Sequence, residues 1–355
     1  MCDGGTCRAC KLDGECGSGA CGENGACLDE ASIVYLAPAP TGVDAGTCTR
    51  EAPCKELAFG AARTGDARQH IVFAVGTYAL NDRISRQVTQ ASRLFLHGHG
   101  ARLVEKAGTD GVFLRFQQVP VTMRDFEIFQ ATRASRSIVI EAAGGGHLIE
   151  RVRFVDSAGL ETAGTAVVRD VSMQTVPATA TGLLFSGSLT ADRVRIVGGN
   201  LGVVSNTSGA VIDATNLMVS NTVNLALDLA FVSGVVRFST IADSGTDTGA
   251  GPRAVQCSGG VAIQSTIVWA PGVSPRAPMS TEAGAPCMVS STIAGPTAVP
   301  GAANMDPLFV APASRDYHLA PNSPARDMVD AGPATDIDGE ARPKGARFDL
   351  GADEI

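Results

Sequence analysis

Between residues 124 and 219 the chain repeats a five-residue pattern whose third and fifth positions are apolar every time. The segments are Arg124-Asp125-Phe126-Glu127-Ile128, Glu150-Arg151-Val152-Arg153-Phe154, Arg169-Asp170-Val171-Ser172-Met173, Asp192-Arg193-Val194-Arg195-Ile196 and Thr215-Asn216-Leu217-Met218-Val219. Gly, Asn and Asp punctuate the stretches between them. Alternation of period two is the signature of a half-buried strand. Further on, Ser239-Thr240-Ile241, Ser265-Thr266-Ile267 and Ser291-Thr292-Ile293 recur at one constant interval. Units this short cannot bury a core alone, but stacked units share one continuous core with their neighbours. Short strands, turn residues and no amphipathic helix predict an all-β parallel solenoid. Neither the Leu/Asn consensus of leucine-rich repeats nor the longer aromatic units of propeller blades is present.

The polar positions of the same segments supply a test of register. The first column reads Arg124, Glu150, Arg169, Asp192, and the second reads Asp125, Arg151, Asp170, Arg193. Signs alternate down both, and Glu127 falls over Arg153. Equivalent residues of stacked parallel strands lie about 4.8 Å apart, where like charges repel and opposite charges form ladders. The alternation therefore predicts an inter-coil ladder. Arg115 and Glu141, at the same separation as Arg124 and Glu150, read as one more such pair.

Composition narrows the class. The chain has 355 residues, 45% hydrophobic but only 5% aromatic, with 41 Gly and 18% charged residues. Small aliphatic residues suit a long thin core, and this apolar content argues against disorder. A net charge of −8 argues against a nucleic-acid partner, and no apolar run approaches the roughly 18 residues of a membrane span. Six of the ten Cys, namely Cys2, Cys7, Cys10, Cys16, Cys21 and Cys27, crowd the start of the chain among Gly, Asp and Glu. Such a segment needs covalent or metal staples. Three disulfides are the expectation. Zinc is the competing reading, since Cys7-x-x-Cys10 has ligand spacing, but a second such pair is missing. Cys48 and Cys54 bracket a short loop, and Cys257 and Cys287 would pair across a long Pro/Gly-rich one. Even counts in each group point to an oxidising compartment, so the expectation is a secreted or cell-surface protein. Polar residues follow Met1-Cys2 directly, which does not read as an export signal. Lipid modification of Cys2 would leave an odd number of Cys and one unpaired.

Both flanks of the repeat carry recognisable sequence. Ile33-Val34-Tyr35, the Cys48/Cys54 loop, a helical stretch around Lys55–Arg63 and Val75-Gly76-Thr77-Tyr78 open it. Asp306-Pro307-Leu308-Phe309, Asp316-Tyr317-His318-Leu319, Asn322-Ser323-Pro324-Ala325, Asp336-Ile337-Asp338-Gly339, Arg342-Pro343 and Asp349-Leu350-Gly351-Ala352-Asp353-Glu354 close it. In these features the chain resembles secreted bacterial right-handed parallel β-helix proteins of the pectin-lyase-like class. The resemblance covers residues 31–355. It implies a right-handed parallel β-helix of about eight to ten coils over 71–305, a capping strand and helix over 31–70, and a C-terminal cap over 306–355. Residues 1–30 form a Cys-rich leader. Solenoid ends expose core and strand edges, so Leu57, Phe59 and Ala62 would plug one end and the Pro-rich closing stretch the other.

β-Helix enzymes of this class act on polysaccharides in a groove along one face. Hydrolases need two neighbouring carboxylates, and lyases need a base with a cation for the uronate carboxyl. The ladder accounts for Asp125, Glu150, Asp170 and Asp192. Gln130, Asp156, Thr175, Gly198, Asn221 and Asp243 form a column of turn residues. Asp156 and Asp243 share it four coils apart, too far to act on one bond, and Asp213 and Asp228 have no carboxylate in register. Asp336 and Asp338 start like a calcium loop but lack its later ligands, so a structural cap is expected. His97 and His99 read as a surface turn, Gly144–Gly146 as a loop hinge, and the Ser-Thr-Ile copies as stacked hydroxyls. No catalytic, cofactor or metal site emerges. The expected function is a monomeric extracellular scaffold whose partner is a polysaccharide or cell-envelope component. The alternative is a polysaccharide lyase or glycoside hydrolase.

Overall fold

The computed structural model describes residues 9–80, 82–106, 114–129, 136–141, 146–205, 207–245, 253–258, 260–273, 277–279 and 286–355, together with the backbone of 2–3 and 6–7. The chain is an all-β parallel solenoid of about eight turns. Each turn lays strands on three faces, A, B and C, in that chain order. The inward column of face A runs through Leu96, Met123, Ile149, Val168, Ala191, Ala214, Val236 and Ile263, each registered with the next. Face B lines the core with Leu103, Ile128, Phe154, Met173, Ile196 and Val219 in the same way. Face C adds Phe116, Ile140, Thr162 and Phe185. Nearly all these side chains are buried in one core cluster. This is the arrangement that turns weak single strands into a cooperative stack.

Faces A and B are joined by a single residue in the left-handed region. Asp125, Arg151, Asp170, Arg193, Asn216, Phe238, Ser265 and Ser291 occupy that corner in successive turns, with φ between 45° and 61°. Left-handed backbone costs an L-residue roughly 1–2 kcal/mol, less for Asn and Asp, whose side chains bond locally. The second charged column is therefore a column of corners. The expected turn column behaves likewise: Asp156, Thr175, Asn221 and Asp243 have φ between 46° and 58°, and Gly198 has φ 85°. Gln130 lies outside the described residues. Gly159 marks the tightest approach between turns, since a Cβ there would stand 1.5 Å from the carbonyl oxygen of Gly182 in the next turn.

The Ser-Thr-Ile copies are not all stacked. Thr240 pairs with Ile267, whereas Ile267 pairs with Ile293, so the first copy is one residue out of step with the other two. The reason is that the turn from Thr240 to Ile267 is one residue longer than the turn that follows it. The hydroxyls in register are Ser239, Thr266 and Thr292, and each donates to the carbonyl two residues back, at 2.8, 2.7 and 2.8 Å.

The first end is plugged by the only α-helix among the described residues, Leu57–Ala61, shorter than the expected stretch. Leu57 and Ala61 enter the core and Phe59 packs against it. Ala62 is exposed, because the helix ends before that position turns inward. The other end also differs from expectation. Val299 and Ala302, not the Pro-rich closing stretch, pack on the last turn, and Ala303 bridges Ile293. Residues 306–355 instead fold back along the flank. Tyr317, Ile337 and Ala352 cover Met218 and Ala242, while Leu319, Ala325 and Leu350 cover Ile267 and Ile293. Outward apolar residues on face B of the late turns demand that cover.

Candidate functional site

The ladder residues stand in register along face A and its corner. Arg124, Glu150, Arg169 and Asp192 are consecutive partners in adjacent strands. Glu150 is buried and receives three guanidinium groups, from Arg124 at 3.0 Å, Arg151 at 3.0 Å and Arg169. The corner residues form two bidentate pairs rather than one continuous chain. Arg151 donates Nε and Nη2 to Asp125 at 2.7 and 2.9 Å, and Arg193 does the same to Asp170 at 2.5 and 3.0 Å. The Asp125 hydrogen bonds raise the Arg151 pKa, and those of Asp170 raise that of Arg193. Planar two-point pairing fixes direction as well as charge, which suits an arginine held in an unfavourable corner. Arg193 also reaches Asp192 within its own turn, and Arg115 pairs with Glu141 at 2.6 Å.

On face B the outward charges are looser. Glu127 is shared by Arg102 at 3.7 Å and Arg153 at 3.8 Å, and both guanidinium side chains are about half-exposed. Arg195 follows further along and pairs with Asp338 of the closing segment at 3.0 Å. A shallow cleft of about 280 Å³ runs between that segment and the coils, lined by Ser172, Gln174, Arg195 and Asp338 among others.

The leader is folded by Cys10–Cys21 and Cys16–Cys27. Both sulfurs of a disulfide are spent, so the Cys10 thiolate required by the zinc reading does not exist. The side chains of Cys2 and Cys7 lie outside the described residues. Cys48–Cys54 and Cys257–Cys287 are also bonded. The leader docks on the first turns of face A, where Ala20 packs with Ile33, Tyr35 and Val72. Asp13 Oδ2 meets His97 Nδ1 at 2.8 Å, and His97 Nε2 meets His70 Nδ1 at 3.1 Å. His97 is therefore not on a surface turn; it is 1% exposed beneath Asp13, itself 4% exposed. His99 takes a left-handed corner and meets the Gly19 carbonyl. Burial pulls the Asp13 pKa up, but the His97 contact and the Cys21 N–H outweigh it and the net shift is downward. Burial, then the His97 charge, lowers His70 to about 4. Gly144 and Gly145 lie outside the described residues, and Gly146 has φ 82°.

One cavity has no counterpart in the sequence pattern. About 580 Å³ lies beside the helix, lined by Lys55, Glu56, Thr77, Tyr78, Asp82 and Lys106, among others. Burial and then Glu56 raise Asp82 to about 6. Glu56 precedes the helix, and Asp82 starts a face-C strand, so no common spacing links them. Arg342 is the other surprise. It is buried against Glu354 at 2.7 Å, donates to the carbonyls of Asp349 and Asp353, and lies 5.0 Å over the Phe238 ring.

Comparison with protein-family models finds no match, and comparison with curated proteins finds none either.

Proposed function

We propose that the protein is an extracellular or cell-surface scaffold of the pectin-lyase-like kind, secreted by a bacterium, whose face B binds an acidic polysaccharide. The observation that carries this reading is the outward column Arg102, Glu127, Arg153. Its two guanidinium groups flank one carboxylate at 3.7 and 3.8 Å and remain half-exposed. They stand two turns apart, about 10 Å by strand spacing. A column of this kind on a rigid backbone meets a regularly spaced anionic chain with only the arginine side chains left to order. Glu150 on face A, by contrast, is saturated by three arginines. Scarce aromatic residues direct the reading towards charge rather than ring stacking. The disulfides fit an oxidising compartment, and no helix among the described residues is long and apolar enough to cross a membrane.

The test is calorimetric binding of polygalacturonate and alginate. Binding should weaken at least tenfold in the double variant Arg102→Glu, Arg153→Glu and fall with salt. Equal binding by wild type and variant, or no binding to any acidic polysaccharide, would overturn the reading.

A hydrolase reading is favoured by one feature, the Glu56 and Asp82 carboxyls lining one cavity with Asp82 raised to about 6. A carboxyl whose pKa is raised, sharing a cavity with a second carboxyl, is the kind of arrangement that glycoside hydrolysis uses. Release of reducing ends from a polysaccharide panel, abolished by Asp82→Asn, would establish it. Unsaturated products would instead point to a lyase.

A further inference from the structure

The closing segment gathers metal-type ligands that neither the ladder nor the proposed polysaccharide face uses. His318 Nε2 and Asp338 Oδ2 are 3.0 Å apart, and these two with an Asp353 oxygen lie within 4.8 Å of one another. Two ligands about 2.0–2.1 Å from zinc at a tetrahedral angle stand about 3.3 Å apart. The His–Asp pair is thus already at ligand spacing, and the third oxygen is close enough to close on the same ion.

Each ligand is held by an outer partner. Asp316 Oδ1 meets His318 Nδ1 at 2.5 Å, which turns Nε2 towards Asp338. Arg195 takes Asp338 Oδ1 at 3.0 Å and leaves Oδ2 for the site. The Leu319 N–H donates to Asp353 Oδ2 at 2.7 Å. A carboxylate on the distal nitrogen of a ligand histidine is the usual device for fixing ring orientation and tautomer.

A second observation points the same way. Asp336 is fully buried two residues from Asp338, and its Oδ2 has no hydrogen-bond partner. A buried carboxylate oxygen without a donor is costly unless a cation is near. Asp338 is exposed and gives an ion a way in.

We propose that His318, Asp338 and Asp353 form a divalent transition-metal site of the zinc class, with Asp316 positioning His318. The imidazole nitrogen favours zinc-like ions over calcium, which prefers oxygen donors alone. The ion would tie residues 316–319 to 336–338 and 353 on the polar side of the stretches whose Tyr317, Leu319 and Ile337 cover face B.

The experiment uses the full, disulfide-intact chain after chelator treatment, titrated by calorimetry with Zn²⁺ alone and then with Ca²⁺ alone. One equivalent of Zn²⁺ is expected to bind and raise the melting temperature, with Ca²⁺ far weaker. His318→Ala should lower Zn²⁺ affinity more than tenfold, and Asp316→Asn should lower it about tenfold, as loss of an outer partner does. His318 and Asp316 are partly exposed, and unchanged circular dichroism will show that both variants fold. Absence of Zn²⁺ binding overturns the site. So does Zn²⁺ binding of equal strength in both variants, which would place the ion elsewhere, or a preference for Ca²⁺.

Discussion

Residues 9–30 and 306–355 both lie against the flank of the coils, yet they are held there by different means. The leader has two disulfides within the described residues and a small apolar contact around Ala20. Its docking depends on a few polar contacts, chiefly Asp13 with His97, Tyr35 with the Ser18 carbonyl, and Arg50 with the Gly17 carbonyl. The closing segment has no cysteine. It is ordered by Arg342, whose guanidinium bonds Glu354, Asn216 and backbone carbonyls, and by apolar residues that cover late turns of face B. The contrast shows two ways to order a segment too small for its own core. One constrains the unfolded chain with crosslinks, and the other joins a buried ion pair to an apolar seam on the coils.

The largest test of that contrast is Arg342→Met. Removing one partner of a buried pair leaves Glu354 charged and uncompensated, which costs about 3–5 kcal/mol. Several carbonyls also lose their donor. Denaturant unfolding should shift accordingly, and limited proteolysis should cut first within 306–355. If the closing segment stays protected, Arg342 is not its anchor. A smaller effect is expected in the leader. Replacing Cys10 and Cys21 together with Ser should cost the leader about 2–4 kcal/mol. Hydrogen exchange should rise within residues 9–30 while the coil amides stay protected, because the coils have a core of their own. Loss of protection throughout would show that the leader is part of the cooperative unit.

How far each region can be read from sequence follows from its physics. Ladder register is legible because alternation of apolar positions and alternation of charge both depend on the same stacking distance. Arg124, Glu150, Arg169 and Asp192 can be aligned by the first and tested by the second. The Ser-Thr-Ile copies mislead because identical words invite alignment, whereas turn length decides register, and the turn from Thr240 to Ile267 carries one residue more than the next. The place of His97 is hidden because its burial depends on Asp13, in a distant part of the chain. Arg342 and Glu354 are visible as a motif, but the motif does not say that the segment lies along the flank. That follows from outward Met218, Ala242, Ile267 and Ile293, whose need for cover shows only once the coils are built. Glu56 and Asp82 share no period, so a cavity built from a helix start and a face-C strand cannot be found by pattern.

The leader contact carries a pH dependence of its own. The His70 pKa lies at about 4 in the folded chain against 6.5 ordinarily. Between those values the unfolded chain binds a proton that folded His70 refuses, so stability falls as pH drops through that window. Asp13 acts in the same direction at lower pH, since its folded pKa is lowered and its contribution is lost as pH falls through that value. Acidification from pH 7 towards the folded His70 value of about 4 should therefore loosen residues 9–30 before the coils, read by hydrogen exchange. Asp13→Asn keeps the shape but weakens the His97 contact, and should bring leader exchange at neutral pH towards the acidified wild-type level. Leader exchange that stays flat across the acidification would break this account.

The smallest effect separates register from stability within the coils. Arg151 and Asp125 are each about 30% exposed, 2.7 Å apart and bidentate. Such a pair contributes about 0–1 kcal/mol in a double-mutant cycle. Exchanging the two side chains, by Asp125→Arg with Arg151→Asp, would keep the charge pair. It would also set a carboxylate beside Glu150, where Arg151 now stands at 3.0 Å, and a guanidinium beside Arg124. The swap should therefore cost more than the single change Arg151→Gln, even though it preserves the pair. A swap that is neutral would mean that the corner charges act only in isolated twos. A swap costlier than the single change would show that Glu150 and its three arginines act as one network, and that the alternation along the coils is set by neighbours on both sides.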